Sequence, residues 1–462
     1  MSYCQKKNEY FLLGFSRIGL LFLKSHKLKQ SKKKVGVHFD FGKIERYPGF
    51  RLHLLPTQKF QTITCYFRFI HPLEKQEIHY AQILPFVLLQ GSQKFPNKNA
   101  IQKELDRLSG ALLSAQVTKR ADKQIISFCL EMLNPKWAAD SAHMQEDAFA
   151  LLEDILFAPF LIENQLSSNL IALEKEKAIA RLKGQKDDKI QYANEKLIEN
   201  LYENLPYGLS IYGTEEGLQA VTSESLTAYY QTFFHTQQIE VYLLGDFESE
   251  QMSHCFMKYF AKHFQNGKEF QPFQKKNWQL DHPKEMVQTE PIAQAKLHLG
   301  FETDATFARN DYEAMQVCNG IFGAFTHSKC FLTVREKYSL AYYITSKLES
   351  QHGFLTVMTG IDAKNESKTR EMILKALDQI QNGQVTEKEL KQTKAALRNE
   401  LLCALDDPRG ILELSLHQIL SGKKRTFHEW LENLSQVTKE DVVCVSRQVK
   451  YIGSFFLKGE ES

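Results

Sequence analysis

One order of secondary-structure signals runs through this chain twice, and the repetition limits its folds more than any other feature. The first pass opens with the strand pattern RLHLLPTQ and the alternating run TITCYFRFI. A helical run over 77–89 follows, then a helix over 100–109, Gly110, and two strands, LLSAQVTKR and KQIISFCLEM. Next come a long helix over 137–156, the highly charged helix ENQLSSNLIALEKEKAIARLKGQKDD, and a helix rich in Asn, Glu and Tyr. The helix–strand pair SLTAYYQTFF and IEVYLLGDF closes the pass. The second pass begins with the strand AKLHLGFET, a helix over 311–322, the segment SKCFLTVREKYSLAYYITSKLES and the strand GFLTVMTGI. A helix over 366–381, the charged helix TEKELKQTKAALRNELLCAL, the helix GILELSLHQIL and the strand YIGSFFLKG complete it. Alternation marks half-buried strands, and three-to-four spacing marks helices. The expectation is an α+β fold of two similar lobes, each a mainly antiparallel sheet packed with helices.

The pattern divides the chain into lobes at 35–263 and 286–462, joined by the polar, aperiodic stretch FQNGKEFQPFQKKNWQLDHPKE over 264–285. Residues 1–34 stand apart, because their apolar run is broken by Ser16 and Arg17 and their charge follows it. That is the reverse of a secretory signal. Three readings fit: a disordered basic tail, translation from a start codon upstream of the true one, or a weak membrane-surface helix. With 43% hydrophobic and 24% charged residues the chain can bury two cores. A net charge of +3 gives no case for nucleic acid. No segment reaches the roughly 18–20 apolar residues of a membrane span. The eight cysteines contain no C-x-x-C pair. They read as small buried hydrophobes in a reducing compartment, which points to the cytoplasm.

Histidine patterns are weak. HPLEK (71–75) places Lys75 where a second ligand would stand, and HEWLE (428–432) places Glu432 there. Neither makes a zinc site.

The segment SKCFLTVREKYSLAYY (328–343), set in the duplicated frame, resembles the insulinase/pitrilysin family of inverted-zinc-motif peptidases from about residue 35 onward. Ser328, Phe331, Val334, Arg335, Glu336, Leu340, Ala341 and Tyr342 match the family pattern, and Gly320 and Gly323 keep part of its glycine-rich approach. The resemblance implies the LuxS/insulinase-like metallopeptidase fold. It also implies that Arg335 and Tyr342 serve the active site of the other half of a chamber, orienting the substrate backbone and stabilising an oxyanion. The residue types suit those tasks: a guanidinium offers forked donors at fixed charge, and a phenol is a neutral donor to developing negative charge.

Leu88-Leu89-Gln90-Gly91-Ser92, followed by Phe95-Pro96-Asn97, resembles the end of the family's zinc helix. The inverted motif needs two His on adjacent turns and a Glu between them. Aligned on this stretch, those positions are Gln82, Pro85 and Phe86. Pro85 is also expected to kink the helix or delay its start. The third ligand should follow EKEK, where the chain reads Ala178-Ile179-Ala180-Arg181; Glu174 and Glu176 precede that place and read as a solvated face. No metal or other cofactor is therefore expected in this chain. The resemblance implies the zinc-free, noncatalytic subunit of a heterodimeric peptidase, paired with a homologous zinc-bearing subunit and acting on short unfolded peptides. Bacterial pairs named for modifying elongation factor P with 5-aminopentanol are the most similar type. The alternative is a purely structural or peptide-binding inactive homologue.

Overall fold

The strands fall into two main sheets. The first holds β1 (Lys43–Tyr47), β2 (Phe50–Pro56), β3 (Thr62–Pro72), β4 (Leu112–Arg120), β5 (Lys123–Leu133) and, after the small hairpin β6–β7 (Leu161–Ile162, Gln165–Leu166), β8 (Gln238–Gly245). The second holds β9 (Lys284–Thr289), β10 (Ala295–Glu302), β11 (Ala341–Glu349), β12 (Phe354–Ile361) and β13 (Lys450–Lys458). This computed structural model describes residues 39, 41–138, 143–264, 271–273 and 282–460. The extension over 1–34 and most of the stretch over 264–285 lie outside the described residues.

Strand order shows the repeat directly. The first sheet runs β1-β2-β8-β3-β5-β4, and the second runs β11-β12-β10-β13-β9. Read backwards, the second order matches the first from β2 to β4. Among the described residues each sheet has one parallel pairing, and it falls in the same place, β2 with β8 and β13 with β9. Among the described residues β1 has no counterpart in the second sheet.

The core face of the first sheet carries Leu52, Phe67, Phe69, Phe128 and Val241, packed against Phe149, Phe256 and Phe260 of the Met144–Phe157 and Ser249–Phe260 helices. The Phe67 and Phe260 rings lie 5.1 Å apart. In the second sheet Leu297, Leu299 and Phe301 meet Met315, Ile373 and Leu377 in the same manner.

Each sheet's other face is covered by a helix of the opposite lobe. The Lys189–Leu201 helix sets Tyr192, Ala193, Leu197 and Leu201 against Phe354, Ile452 and Phe455 of the second sheet. The Pro408–Ser421 helix sets Leu416 and Leu420 against Ile70 and Ile125 of the first. Both helices start at an aspartate N-cap: Asp188 accepts from the Ile190 and Gln191 amides, and Asp407 accepts from Arg409. The Leu201 contact requires two glycines. Gly300 and Gly453 face each other across β10 and β13, and a Cβ on either would come within 2.7 or 2.8 Å of a Leu201 methyl. Burying that leucine is worth about 1.5–3 kcal/mol. The exchange explains why β3 is buried on both faces although it belongs to a largely antiparallel sheet. It also makes Phe39–Ser462 one compact unit.

Several local expectations need correction. The helix expected over 137–156 covers Met144–Phe157, with Trp137 in a separate turn behind Pro135. Two helices near the chain end, Phe427–Gln436 and Lys439–Ser446, were missed by periodicity because they are short. Their capping boxes, Thr426 with Glu429 and Thr438 with Asp441, were the available signal. β9 was missed too; it is a short edge strand with little buried surface. Cys403 and Cys444 are exposed, not buried hydrophobes. No helix among the described residues is long and apolar enough to cross a membrane.

Candidate functional site

The helix expected over 77–89 is broken in two, Ile78–Ala81 and Leu84–Leu88. Pro85 accounts for the break. Its ring cannot follow a continuous helix, but its missing N–H costs nothing in a first turn. Gln82 sits at the break, buried, with Nε2 donating to the Ile211 carbonyl at 2.8 Å. Phe86, half-buried, lies under the Arg181 guanidinium, whose central carbon is 4.4 Å from the ring centroid. Arg181 Nη2 also donates to the Gln82 carbonyl at 3.1 Å. Burial lowers the arginine's pKa, opposed by the charge of Glu174 and by Tyr212. The group nonetheless stays cationic near neutrality.

Glu174 is not on a solvated face. It is buried, accepting from Gln90 Nε2 at 2.9 Å and pairing with Lys177 at 2.7 Å. Glu174, Ala178 and Arg181 stand at i, i+4 and i+7, so one face of the Ser168–Gln185 helix carries all three toward the broken helix. That spacing was the signal by which Arg181 could have been found. The surviving end of the motif has a structural reason. A Cβ at Gly91 would lie 2.8 Å from the Pro96 carbonyl oxygen, and the Ser92 hydroxyl donates to Asp154.

An amide, a proline, a phenyl ring and a cation thus occupy the positions that the resemblance aligns with the ligands and base of an inverted zinc motif. This donor set does not fit a divalent metal. Among the described residues no group of three His, Cys, Asp or Glu side chains could hold one. His71 is turned to the Pro72 carbonyl and Glu77, and His428 and Glu432 lie 3.9 Å apart on an exposed helix face.

Arg335 and Tyr342 belong to the second lobe. Arg335 lies in the wide-turned helical segment Phe331–Lys337, anchored by the buried Val334. Its side chain is 45% exposed, stacks on Phe331 at 4.8 Å and comes no closer than 4.0 Å to Glu336. Ser339 then takes a positive φ of 49°, which turns the chain into β11. Tyr342 occupies a bulge in the pairing of β11 with β12, between Ala341 and Tyr343. Bulges redirect side chains, and Tyr342 is 60% exposed. Its hydroxyl donates to Asp362 Oδ1 at 3.1 Å, a bond that raises its pKa and keeps the phenol protonated. Gln82, Pro85 and Phe86 are carried beside the first sheet; Arg335 precedes the edge strand β11 of the second, and Tyr342 lies on it.

Comparison with known proteins identifies the family and the fold. Residues 220–397 match the family described as "Peptidase M16 inactive domain". The "Probable inactive metalloprotease YmfF" of Bacillus subtilis (strain 168) is 34% identical over 422 residues, spanning 90% of this chain and 97% of that protein. The "Uncharacterized zinc protease YmxG" of the same strain is 26% identical over 308 residues, spanning 65% of this chain and 72% of that protein. A crystal structure of a conserved protein from Enterococcus faecalis V583 superposes with a TM-score of 0.82 at 30% identity, covering 92% of this chain and all of that one.

Proposed function

The chain belongs to the M16 peptidase family as an inactive-type member, and from that premise we propose that it is the noncatalytic subunit of a heterodimeric zinc peptidase. The observation that carries the reading is that Arg335 and Tyr342 are exposed in a chain whose own metal position is filled by Gln82, Phe86 and Arg181. Packing alone gives no reason for Tyr342 to point outward from a bulged edge strand or for Arg335 to stand exposed on the segment before it.

A partner bearing the His-x-x-Glu-His motif would bring the zinc and the water it activates. This chain's share is binding and charge stabilisation. The Arg335 fork holds a carbonyl of an extended substrate. The Tyr342 hydroxyl, kept neutral by its bond to Asp362, moves to the oxygen on which negative charge develops. Short unfolded peptides fit this arrangement, because an added strand can pair with the free edge of a sheet. The reading places the pair in the cytoplasm and among the bacterial type associated with 5-aminopentanol modification of elongation factor P.

The test is to purify the chain together with a zinc-motif homologue from the same genome and assay hydrolysis of unfolded peptides. Activity that requires both chains supports the reading. A partner fully active alone, or two chains that do not associate, would refute it.

A further inference from the structure

Arg181 is a fixed positive charge held half-buried without a carboxylate paired to it, although the charge of Glu174 acts on it from farther away. Among the described residues no Asp or Glu oxygen lies within ion-pairing distance of it. The nearby acid, Glu174, is already committed to Gln90 and Lys177. Of the five N–H donors a guanidinium offers, one is spent, on the Gln82 carbonyl. The Phe86 ring fixes the plane of the group from one side. The remaining donors of this half-buried guanidinium are open to water or to an anion, and an anion would also offset the cost of holding the charge partly out of water. A guanidinium locked in one plane is prepared to receive a carboxylate through two parallel hydrogen bonds.

The surroundings narrow the anion. The Leu84–Leu88 helix, which carries Phe86, packs between the Ser168–Gln185 helix and β4. β4 is the outer strand of its sheet; Leu113, Ala115 and Val117 face the core shared with the Leu84–Leu88 helix, and Leu112, Ser114 and Gln116 are exposed on the opposite face. An unpaired strand edge offers main-chain donors and acceptors to an extended chain. A phosphate dianion would call for a second free cation, but Lys175, Lys177 and Lys183 of the same helix are bonded to the Gln219 and Val221 carbonyls, to Glu174 and to Glu215.

We propose that Arg181, seated on Phe86 at the former metal position, is a receptor for the C-terminal carboxylate of an extended peptide. The site is this chain's own and does not depend on the role of Arg335 and Tyr342 toward a partner. It is therefore tested on the full chain alone, without partner or zinc, and its failure is distinct from failure of the heterodimer reading.

The probe is a short, N-terminally labelled peptide of Ala, Val and Ser with a free C-terminus, compared with its C-terminal amide by fluorescence anisotropy. The acid is expected to bind about tenfold or more tighter than the amide, as a charge-assisted pair implies. Arg181→Gln should erase the difference and Arg181→Lys should keep part of it, with thermal melts confirming a folded chain. Acetate should displace the acid peptide better than inorganic phosphate does. Equal binding of acid and amide, no binding of either, or a preference that survives Arg181→Gln overturns the assignment. So does displacement by phosphate at lower concentration than acetate. If the variants do not fold, the acid–amide comparison and the two displacements on the unaltered chain still decide it.

Discussion

Arg68, on the central strand of the first sheet, donates to Glu413 Oε1 at 2.7 Å, and Glu413 belongs to the helix that the second lobe lays across that sheet. The same guanidinium bonds the Leu412 carbonyl at 2.9 Å, and Arg120 reaches the second carboxylate oxygen at 2.8 Å. With its side chain 2% exposed, Arg68 is neutralised only while the two lobes are together. The exchanged helix and this ion pair bind the lobes as one body.

Removing one partner of a buried pair typically costs about 3–5 kcal/mol. Arg68→Ala is expected to lower the urea midpoint accordingly, because Leu412 loses its donor and Glu413 one of two cations. Arg68→Met combined with Glu413→Leu should recover much of that loss by replacing charge with packing. An unchanged midpoint in Arg68→Ala would show that the pair contributes nothing.

The same carboxylate predicts the acid limb of stability. Burial alone would raise the pKa of Glu413, but Arg68 and Arg120 outweigh it and hold it at about 2. An unfolded glutamate titrates near about 4.3. The folded pKa is depressed, so the contribution is complete above about pH 4.5 and is lost as pH falls toward 2. Glu413→Gln should be less stable at neutral pH and show a flatter loss across that window. Parallel acid limbs in both proteins would assign the acid sensitivity to other groups.

The isolated chain is expected to hold no stoichiometric zinc after purification without chelators. Arg181 repels a dication, and neither Gln82 nor Phe86 replaces an imidazole. Elemental analysis checks this. About one tightly held zinc per chain would mean that the donor set is misread.

Tyr342→Phe should reduce turnover by the assembled pair about 100- to 1000-fold, the usual cost of losing one oxyanion donor, without changing complex mass. The ring remains, so packing is preserved. Arg335→Lys keeps the charge and loses the fork, and should act mainly on substrate binding. Turnover and mass measured on the same samples separate catalysis from assembly. Full activity of an intact Tyr342→Phe complex would end the proposed role of that hydroxyl.

Gly300→Ala puts a Cβ 2.7 Å from Leu201 and should destabilise by about 1–3 kcal/mol through overpacking. Combined with Leu201→Ala, whose missing methyls vacate the notch, the loss should be smaller than the sum of the two. Additive losses would show that the helix does not depend on that notch.

Much of this architecture is legible in the amino-acid sequence. Strand and helix periods report local dihedrals and the apolar face of each element, so the doubled α+β order is visible in the run from Arg51 to Gly459. Pro85 announced the break in the 77–89 helix, because a ring clash is a property of the residue itself. The reading of Gln82, Pro85 and Phe86 as degenerate metal positions rests on the adjoining Leu88–Ser92 stretch and the family resemblance, both of which are properties of local sequence.

What covers each face could not be read that way. A helix period says that Glu174 and Arg181 share a side, but not that a broken helix some ninety residues earlier meets it and buries Glu174. Nor does it say that Lys189–Leu201 and Pro408–Ser421 trade sheets. Tyr342 was recognisable by its motif, yet its outward aim comes from a bulge that exists only when β11 pairs with β12. Local sequence sets what each segment can become. Which surfaces meet is settled by packing between residues far apart in the chain, where the free energy of burial and of satisfying Arg68 or Glu174 depends on both partners at once.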